Sequence, residues 1–378
     1  SFTIPQNIVV GAGSLKRLPE LAKNLKKSKA YIISGPHLEK IGMVDKCREA
    51  LKAAGIESDA FTQTEGNPST DTVAKAAEGF KSSNADLIVA FGGGSPLDVA
   101  KAVAVIASYG GNITDYEGGG KVPGAVVPMI AIPTTAGTGS EVTAFSVITD
   151  HSRNYKLTVV SNYLLPAYAI LDPELITTVP KSTAAACGID AMVHALEAFI
   201  SKAASPFSDL FAKEALRLIG TSIRDYVLDR SNLAACEAML TGSLFAGIAF
   251  SHARLGDVHA MSHPVSAYFD VAHGVANAVL LPTIVDYNMT YASEKYKYIY
   301  DCICEKPLSD DAFTPEMLAA EIRVLNDELG IPSSLSEVGV DSSLFDKMAD
   351  DAMKSGNILV NPRPTTKKDI LALYAQAF

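Results

Sequence analysis

A dense group of histidines late in the chain is the strongest sign of chemistry in this sequence. His259, His263 and His273 fall within fifteen residues, in GDVHAMSHPVSAYFDVAHGVANA, although the whole chain holds only seven histidines. Neutral imidazole is a common metal ligand, so this concentration indicates a metal site. Because Pro264 disfavours helical dihedral angles at the residue before it, we expect a bend that aims His263 differently from His259.

An acidic residue and another histidine precede this group by roughly seventy residues. Asp190 and His194 are four apart in a segment whose apolar residues recur at helical spacing, so both should project from one flank of a helix. Alone, such a pair is more often an ordinary hydrogen bond on a helix surface. The apolar residues that define the helix are Ile189, Met192, Val193, Leu196, Phe199 and Ile200.

Together these side chains form a mixed oxygen and nitrogen donor set without thiolate. Such a set suits Fe(II), Zn(II), Mn(II) or Co(II) rather than an iron–sulfur cluster. The residue types do not choose among these four ions.

A glycine-rich turn in ADLIVAFGGGSPLDVAKAVAVIA indicates an anion site. An apolar strand over 87–91 runs into three glycines, followed by a helix for which Ser95 suits the N-cap, Pro96 the first position and Asp98 the third. Backbone N–H groups at such a helix start can hold a cofactor pyrophosphate. The loop is neither GxGxxG nor a Walker motif, and a ligand-free turn remains an alternative.

A second loop, PTTAGTGSEVT, follows the predicted strand over 127–132. Turn formation explains its glycines but not the number of hydroxyl groups. Loops at the carboxyl ends of parallel strands bind ligands in α/β proteins, which favours a cofactor site. The hydroxyl residues are Thr134, Thr135, Thr138 and Ser140.

The element pattern predicts an α/β half followed by a helical half. Buried strands such as AYIIS alternate with helices over 71–82 and 97–106, which is typical of βαβ units. Beyond Pro180 helices dominate, over 183–202, 208–228 and 233–249, with Thr314 as a further N-cap before Pro315. We therefore expect a dinucleotide-binding domain over 1–180 and a helical metal-binding and substrate domain over 181–378.

Composition excludes several classes of partner. The net charge is −10 and the basic residues are scattered, which argues against nucleic acid binding. No segment looks long and apolar enough for a membrane helix or a signal peptide, and the five cysteines lack metal-site or disulfide spacing. We expect a cytoplasmic enzyme with reduced thiols and no membrane partner.

Four motifs in this order resemble those of the group III, iron-containing alcohol dehydrogenases: GGGSPLD, PTTAGTGSEVT, GIDAMVHALEAFIS and GDVHAMSHPVSAYFDVAHGVANAVLLP. The resemblance runs through the whole chain, including IVVGAGSL near the start and NPRPTTKKDILALYAQAF at the end. It implies a dehydroquinate synthase-like fold, hydride transfer between NAD or NADP and a small alcohol or aldehyde, Fe2+ with Zn2+ as an alternative, and a homodimer or larger homo-oligomer.

The resemblance also implies a role for individual residues. The metal ligands would be Asp190, His194, His259 and His273, and His263 would be the catalytic histidine that relays a proton near the reacting groups. The aromatic rings of Phe145 and Phe250 would line the substrate pocket, although core aromatic residues look the same in a sequence. The cofactor contacts would include Gly35, Asn67, Gly93, Gly94, Ser95, Asp98, Thr134, Thr135, Thr138, Ser140 and Lys156.

At Gly35 the chain departs from the NAD-specific members of the family. They carry an aspartate after the second strand that accepts hydrogen bonds from the ribose hydroxyls, whereas AYIISGPHLEK places glycine there. Loss of that carboxylate removes repulsion against a 2′-phosphate, so we expect NADPH to be accepted. His37 or Lys40 would add positive charge.

A second departure lies in AFSHARLGDVHAMSH, where His252 replaces a common asparagine and Arg254 a small or neutral residue. Both should precede His259 by about two helical turns. Ordinary surface variation explains them, and the alternative is that Arg254 binds an anionic substrate end, such as the charged group of a semialdehyde or sulfo-aldehyde.

Two other functions compete with an alcohol dehydrogenase. A fold relative with other chemistry, such as a glycerol dehydrogenase or a dehydroquinate synthase-type lyase, would share most of the motifs. A scaffold or filament subunit that has lost the chemistry would keep the fold, but the retention of all four ligand positions weighs against it.

Overall fold

The computed structural model describes Ile4 and residues 7–378, which form two compact units. The α/β unit contains Ser1–Thr135 and Gly139–Thr177. The helical unit contains Ala136–Thr138 and Thr178–Phe378. The predicted class, an α/β nucleotide-binding fold followed by a helical fold, is confirmed.

The main sheet of the α/β unit has the strand order β1-β9-β6-β4-β2-β3, and every neighbouring pair is parallel. The connections that leave β2 and β4 run to opposite sides, so these adjacent strands flank the switch point where α/β sheets bind ligands. The strands are β1 Asn7–Val10, β2 Lys29–Ile33, β3 Glu57–Phe61, β4 Leu87–Gly92, β6 Met129–Pro133 and β9 Tyr168–Leu171.

Helices cover both faces of this sheet, which explains why its central strands are apolar throughout. All six residues of β4 are buried. One face packs with Val73 and Val103 from the helices, and the other packs with Leu18 and Val44. The helices are α1 Leu18–Asn24, α2 Pro36–Lys40, α3 Met43–Ala53, α4 Thr70–Ser83 and α5 Gly94–Tyr109.

A second, three-stranded sheet with the order β5-β8-β7 was not anticipated from the sequence. It contains β5 Gly118–Gly119, β7 Phe145–Asp150 and β8 Tyr155–Val160, and β7 pairs with β8 as an antiparallel hairpin. Asn154 takes a left-handed conformation, with φ 47°, in the connecting turn. Asparagine tolerates this conformation better than most residues.

The helical unit is organised around α6, which is buried along nearly its whole length and packs against α7, α8 and α10. A helix that is apolar on most sides is typical of a protein core. The helices of this unit are α6 Lys181–Ile200, α7 Pro206–Leu228, α8 Leu233–Ala253, α9 Asp257–Phe269, α10 His273–Ile303, α11 Glu316–Glu328, α12 Phe345–Lys354 and α13 Lys367–Gln376.

Side-chain caps fix the start of several of these helices. Ser205 and Thr366 form capping boxes at α7 and α13, and the Asn232 side chain accepts a hydrogen bond from a backbone N–H in the first turn of α8. The prediction that Thr314 is an N-cap is wrong. Helix α11 begins at Glu316, and Pro315 occupies the cap with φ −56° and ψ −29°.

Helices α6 and α8 are, by length and composition, long and apolar enough to cross a membrane, contrary to the expectation from the sequence. Their most apolar windows are 89% and 61% buried inside the protein, respectively. Burial of this extent is typical of core helices in a globular fold, and length and composition alone are weak evidence for a membrane span.

Candidate metal centre

Three imidazole nitrogens converge on one carboxylate oxygen in the helical unit. The Nε2 atom of His259 lies 3.7 Å from Asp190 Oδ1, and the Nε2 atoms of His194 and His273 each lie 3.8 Å from the same oxygen. The ligand atoms of Asp190, His259 and His273 all lie within 4.8 Å of one another. The structure thus brings together the four residues that the sequence predicts as ligands.

Three helices supply these side chains. Asp190 and His194 are one turn apart on α6, His259 lies in the first turn of α9, and His273 is the first residue of α10. The i, i+4 spacing on α6 places its two side chains on one face, as the sequence predicts. Asp190, His194 and His259 are buried, while His273 is half-buried.

The prediction that His263 departs from helical dihedral angles is wrong. Helix α9 continues through Pro264, so His259 and His263 are one turn apart on the same helix. The centroid of the His263 ring lies 6.2 Å from that of His259 and 5.3 Å from that of His273. His263 is half-buried and lies beside the cluster.

Two buried residues at this centre were missed by the sequence reading. The Glu197 carboxylate accepts a hydrogen bond of 2.6 Å from His259 Nδ1. Asn277 donates to Asp190 Oδ1 over 2.7 Å, and its Nδ2 lies 3.1 Å and 3.2 Å from the Nε2 atoms of His259 and His273. Helical spacing is the one sequence signal for them, since Glu197 follows Asp190 by seven residues and Asn277 follows His273 by four, but it does not show that either is buried.

Electrostatics favour the protonation states that metal binding needs at two of these residues. Burial opposes ionisation of Asp190, but the imidazoles, with His194 the strongest, hold its pKa well below the usual range. Burial lowers the pKa of His194 to about 4 despite the nearby Asp190 charge. At His259, burial is outweighed by Asp190 and Glu197, which raise its pKa to about 9. His259 must therefore release a proton when it binds a metal.

The donor geometry fits a divalent ion. Two ligand atoms at about 2.1 Å from one tetrahedral ion lie about 3.4 Å apart. The separations of 3.7 and 3.8 Å from Asp190 Oδ1 therefore need only a small contraction. One carboxylate and three imidazoles suit Fe(II) or Zn(II).

The glycine-rich loop of the α/β unit lies at the carboxyl end of β4, beside the switch point. The prediction that Ser95 is the N-cap is wrong, because α5 begins at Gly94 and Gly93 is the N-cap. A Cβ on Gly93 would lie 3.1 Å from Thr135 Oγ1, so the glycine-rich loop closely approaches the hydroxyl-rich loop that follows β6. The Thr134 N–H also donates to Gly92 O over 2.9 Å.

Asp98 turns into the protein instead of completing the predicted capping pattern. Its two oxygens accept hydrogen bonds from Ser140 Oγ over 2.7 Å and from Val147 N over 3.1 Å. Burial raises the pKa of Asp98, against the pull of the buried Lys101 ammonium. Lys101, which the sequence reading missed, donates to Ser140, Thr143 and the Phe145 carbonyl, and burial lowers its pKa to about 8.

Other predicted cofactor residues of this unit lie on β8, in the loop after β3 and at the start of α2. Lys156 Nζ lies 2.8 Å from Asn67 Oδ1, although the two are 89 positions apart. Gly35 is the N-cap of α2, two residues after the end of β2, and a Cβ there would lie 3.2 Å from the Thr64 carbonyl oxygen. Thr138 belongs to the short segment of the helical unit, and its contact with a cofactor remains a prediction.

The predicted substrate residues are more dispersed. Phe250 stacks on His194 with ring centroids 4.5 Å apart, whereas Phe145 begins β7 in the α/β unit. The expected two-turn helical spacing from His252 and Arg254 to His259 is wrong, because α8 ends at Ala253 and His259 lies on the next helix. Arg254 is the C-cap of α8, with a positive φ of 62° and an extended ψ of −174°, and α9 begins at Asp257. The exposed Arg254 extends its guanidinium towards the Gly356 backbone.

Comparison with known proteins agrees with these features over the whole chain. Residues 5–173 match the family "Iron-containing alcohol dehydrogenase", and residues 184–378 match "Fe-containing alcohol dehydrogenase family, C-terminal". The NAD-dependent methanol dehydrogenase of Bacillus methanolicus is 34% identical, with coverage of 100% of this chain and 99% of the relative. The sulfoacetaldehyde reductase of Bilophila wadsworthia is 36% identical, with coverage of 99% and 97%.

The fold also matches a solved structure of a 1,3-propanediol oxidoreductase. That match has a TM-score of 0.95 and 38% identity, and it covers 100% of this chain and 99% of the other. With three imidazoles facing one buried carboxylate in the helical unit, the chain belongs to the iron-containing alcohol dehydrogenase family and is a nicotinamide-dependent alcohol dehydrogenase.

Proposed function

We propose that this enzyme interconverts a small primary alcohol and its aldehyde, with Fe2+ held by Asp190, His194, His259 and His273. The observation that carries the proposal is the convergence of three Nε2 atoms on one buried oxygen of Asp190. An ion held there would supply Lewis-acid polarisation of the substrate oxygen, and the nicotinamide would supply or accept the hydride.

The side chains around the ligands have complementary roles. Phe250 stacks against His194 and shields that side of the ring from water. The half-buried His263 would hold or move the proton exchanged between the substrate oxygen and solvent, because imidazole titrates near working pH.

Alanine substitution of two ligands tests the metal site. In His194→Ala and His273→Ala we expect loss of bound iron and of activity after anaerobic reconstitution, with an unchanged circular dichroism spectrum. His151→Ala is the matched control, since His151 is exposed in the β7–β8 turn. Full activity and full iron content in His273→Ala would refute the assignment.

A substrate screen separates this function from its alternatives. Consumption of NADH or NADPH with simple aldehydes is expected here and is not expected of a dehydroquinate synthase-type lyase. Comparison of iron-loaded with zinc-loaded enzyme distinguishes the proposed enzyme from a zinc glycerol dehydrogenase. Absence of turnover by both forms across a broad aldehyde panel would favour a scaffold protein.

For the cofactor, we propose that NADPH is accepted together with NADH. Because residue 35 is glycine, the position carries no carboxylate to repel a 2′-phosphate. The kcat/KM ratio for the two cofactors tests this, and Gly35→Asp should shift it towards NADH. A strong NADH preference in the unchanged enzyme would contradict the proposal.

For the substrate, we propose that an anionic group on the aldehyde is recognised by Arg254. This guanidinium is exposed, and a relative of the chain is a sulfoacetaldehyde reductase. Arg254→Met should lower kcat/KM for sulfoacetaldehyde and semialdehydes but not for propanal, with Arg323→Met as a surface control. Equal turnover of propanal and the anionic aldehydes by the unchanged enzyme would exclude this specificity.

A further inference from the structure

We propose that Glu197 is a positioning residue that sets the tautomer of His259 and strengthens it as a metal ligand. The inference rests on the proposed function, because it requires His259 to bind the metal through Nε2. Glu197 itself is not placed among the ligands.

Both oxygens of the Glu197 carboxylate are committed to neighbouring donors. Oε2 accepts from His259 Nδ1 over 2.6 Å, and Oε1 accepts from the Val258 backbone N–H over 2.7 Å. Since Nδ1 carries the donated proton, Nε2 is left as the ring's ligand atom, on the side where Asp190 Oδ1 lies.

In the described part of the chain, the Glu197 carboxylate contacts the His259 ring and the start of α9 and no basic side chain. Glu197 is 3% exposed, and among the described residues neither lysine nor arginine forms an ion pair with it. Burial of an anion away from lysine and arginine is costly, so the His259 imidazole and the start of α9 must compensate it. Gly256 permits this approach, since a Cβ there would lie 3.0 Å from Glu197 Oε1.

His194 provides an internal comparison. Its Nδ1 lies 3.3 Å from the Gly137 carbonyl oxygen, while its Nε2 also faces Asp190. A neutral carbonyl at that distance is a weaker acceptor than a carboxylate at 2.6 Å. His259 should therefore be the more electron-rich of the two imidazoles, as carboxylate–histidine–metal arrangements require.

The variant that tests this role is Glu197→Gln, because glutamine keeps the shape of the side chain and replaces one hydrogen-bond acceptor by a donor. If its oxygen serves His259, its amide N–H faces the Val258 N–H. If the amide instead donates to His259 Nδ1, the imidazole proton moves to Nε2 and blocks the metal. Neither arrangement reproduces the two hydrogen bonds of Glu197.

The test is Co2+ binding to the metal-free, full-length protein, measured against a competing chelator together with the visible absorption of bound Co2+. In Glu197→Gln we expect about 10- to 100-fold weaker binding and an altered Co2+ spectrum. Glu197→Asp keeps the charge and should recover part of the affinity. Circular dichroism of each metal-free variant checks the fold.

Asp257→Asn is the matched control, because Asp257 is a buried acid at the same helix start that bonds to Thr365 and not to His259. Unchanged affinity and spectrum in Glu197→Gln would overturn the inference, as would an equal loss in Asp257→Asn. Wild-type affinity in His259→Ala would instead overturn the ligand assignment in the proposed function.

Discussion

Asp257 is buried at the start of α9 with only part of its carboxylate hydrogen-bonded. Oδ2 accepts from Thr365 Oγ1 over 2.6 Å, while the buried Oδ1 has no hydrogen-bond partner among the described residues. Burial first, and then the charges of Glu197 and Asp369, raise the pKa of Asp257 to about 7. Because this pKa is above the unfolded value of about 3.9, the folded state binds the proton more tightly and loses stability as pH rises from about 4 to about 7.

We therefore expect Asp257→Asn to be more stable than the unchanged protein at pH 8, by on the order of 2 kcal/mol, and similar to it at pH 4. Asparagine removes the charge and still offers an oxygen to Thr365. Thermal unfolding of both proteins across this pH range measures the difference. The exposed Asp310→Asn serves as control, and a difference independent of pH would contradict the assignment.

The histidine ligands could be predicted from the sequence because histidine is rare in this chain. The residues that hydrogen-bond to the ligands, Glu197 and Asn277, could not be predicted in this way. Histidines are few in this chain, so their grouping stood out. Glu197 and Asn277 belong to common residue types, and their importance follows from burial beside His259 and Asp190. Helical spacing places them on the correct faces, but it does not tell which polar residue on a face is buried.

Among the helices, α9 shows where a local steric rule fails. The residue before proline disfavours the helical region, yet His263 is helical in the interior of α9. Most of this helix is buried, and its packing outweighs the local preference. Tertiary contacts of this kind do not show in the sequence around a residue. The type of each element was therefore predicted better than the residue at which a helix begins or the local conformation at a proline.

Helix α10 approaches α6 closely at its second residue, Gly274. A Cβ there would lie 2.3 Å from the Ala186 carbonyl oxygen, which belongs to the α6 backbone. We expect Gly274→Ala to push the start of α10, and His273 with it, away from α6. The cost should be about 1–3 kcal/mol of stability, together with weaker metal retention.

Thermal unfolding and metal content measure both effects of Gly274→Ala. Gly119→Ala is the matched control, because a Cβ at Gly119 meets no atom within 4 Å. Equal stability and metal content in the two variants would show that α10 tolerates the added methyl group.

For the molecule as a whole, the notable feature is the segment Ala136–Thr138, which clusters with the helical unit although residues on both sides belong to the α/β unit. Gly137 O accepts from His194 Nδ1, and a Cβ on Gly137 would lie 2.9 Å from Cys187 Cβ. A residue from the first half of the sequence therefore supports a ligand in the second half.

We expect Gly137→Ala to displace this carbonyl and weaken metal retention, although the substitution lies far from every ligand in sequence. Metal content after gel filtration, compared with the Gly119→Ala control, measures the effect. Retention equal to that of the control would mean that His194 does not depend on the Gly137 carbonyl.

The alternation of strands and helices, and then helices alone, could be read from hydrophobic periodicity because each element carries its own period. The β5-β8-β7 sheet could not, since β5 is only Gly118–Gly119 and its pairing with β8 is set by distant contacts. The segment at 136–138 was hidden for the same reason.

That segment also limits how members of this family can be recombined. The two sequence families meet between residues 173 and 184, which suggests a natural crossover point for chimeric enzymes. A chimera joined there would inherit its metal ligands from one parent and the tripeptide behind His194 from the other. Transplanting the helical module intact therefore requires a second exchange, at residues 136–138.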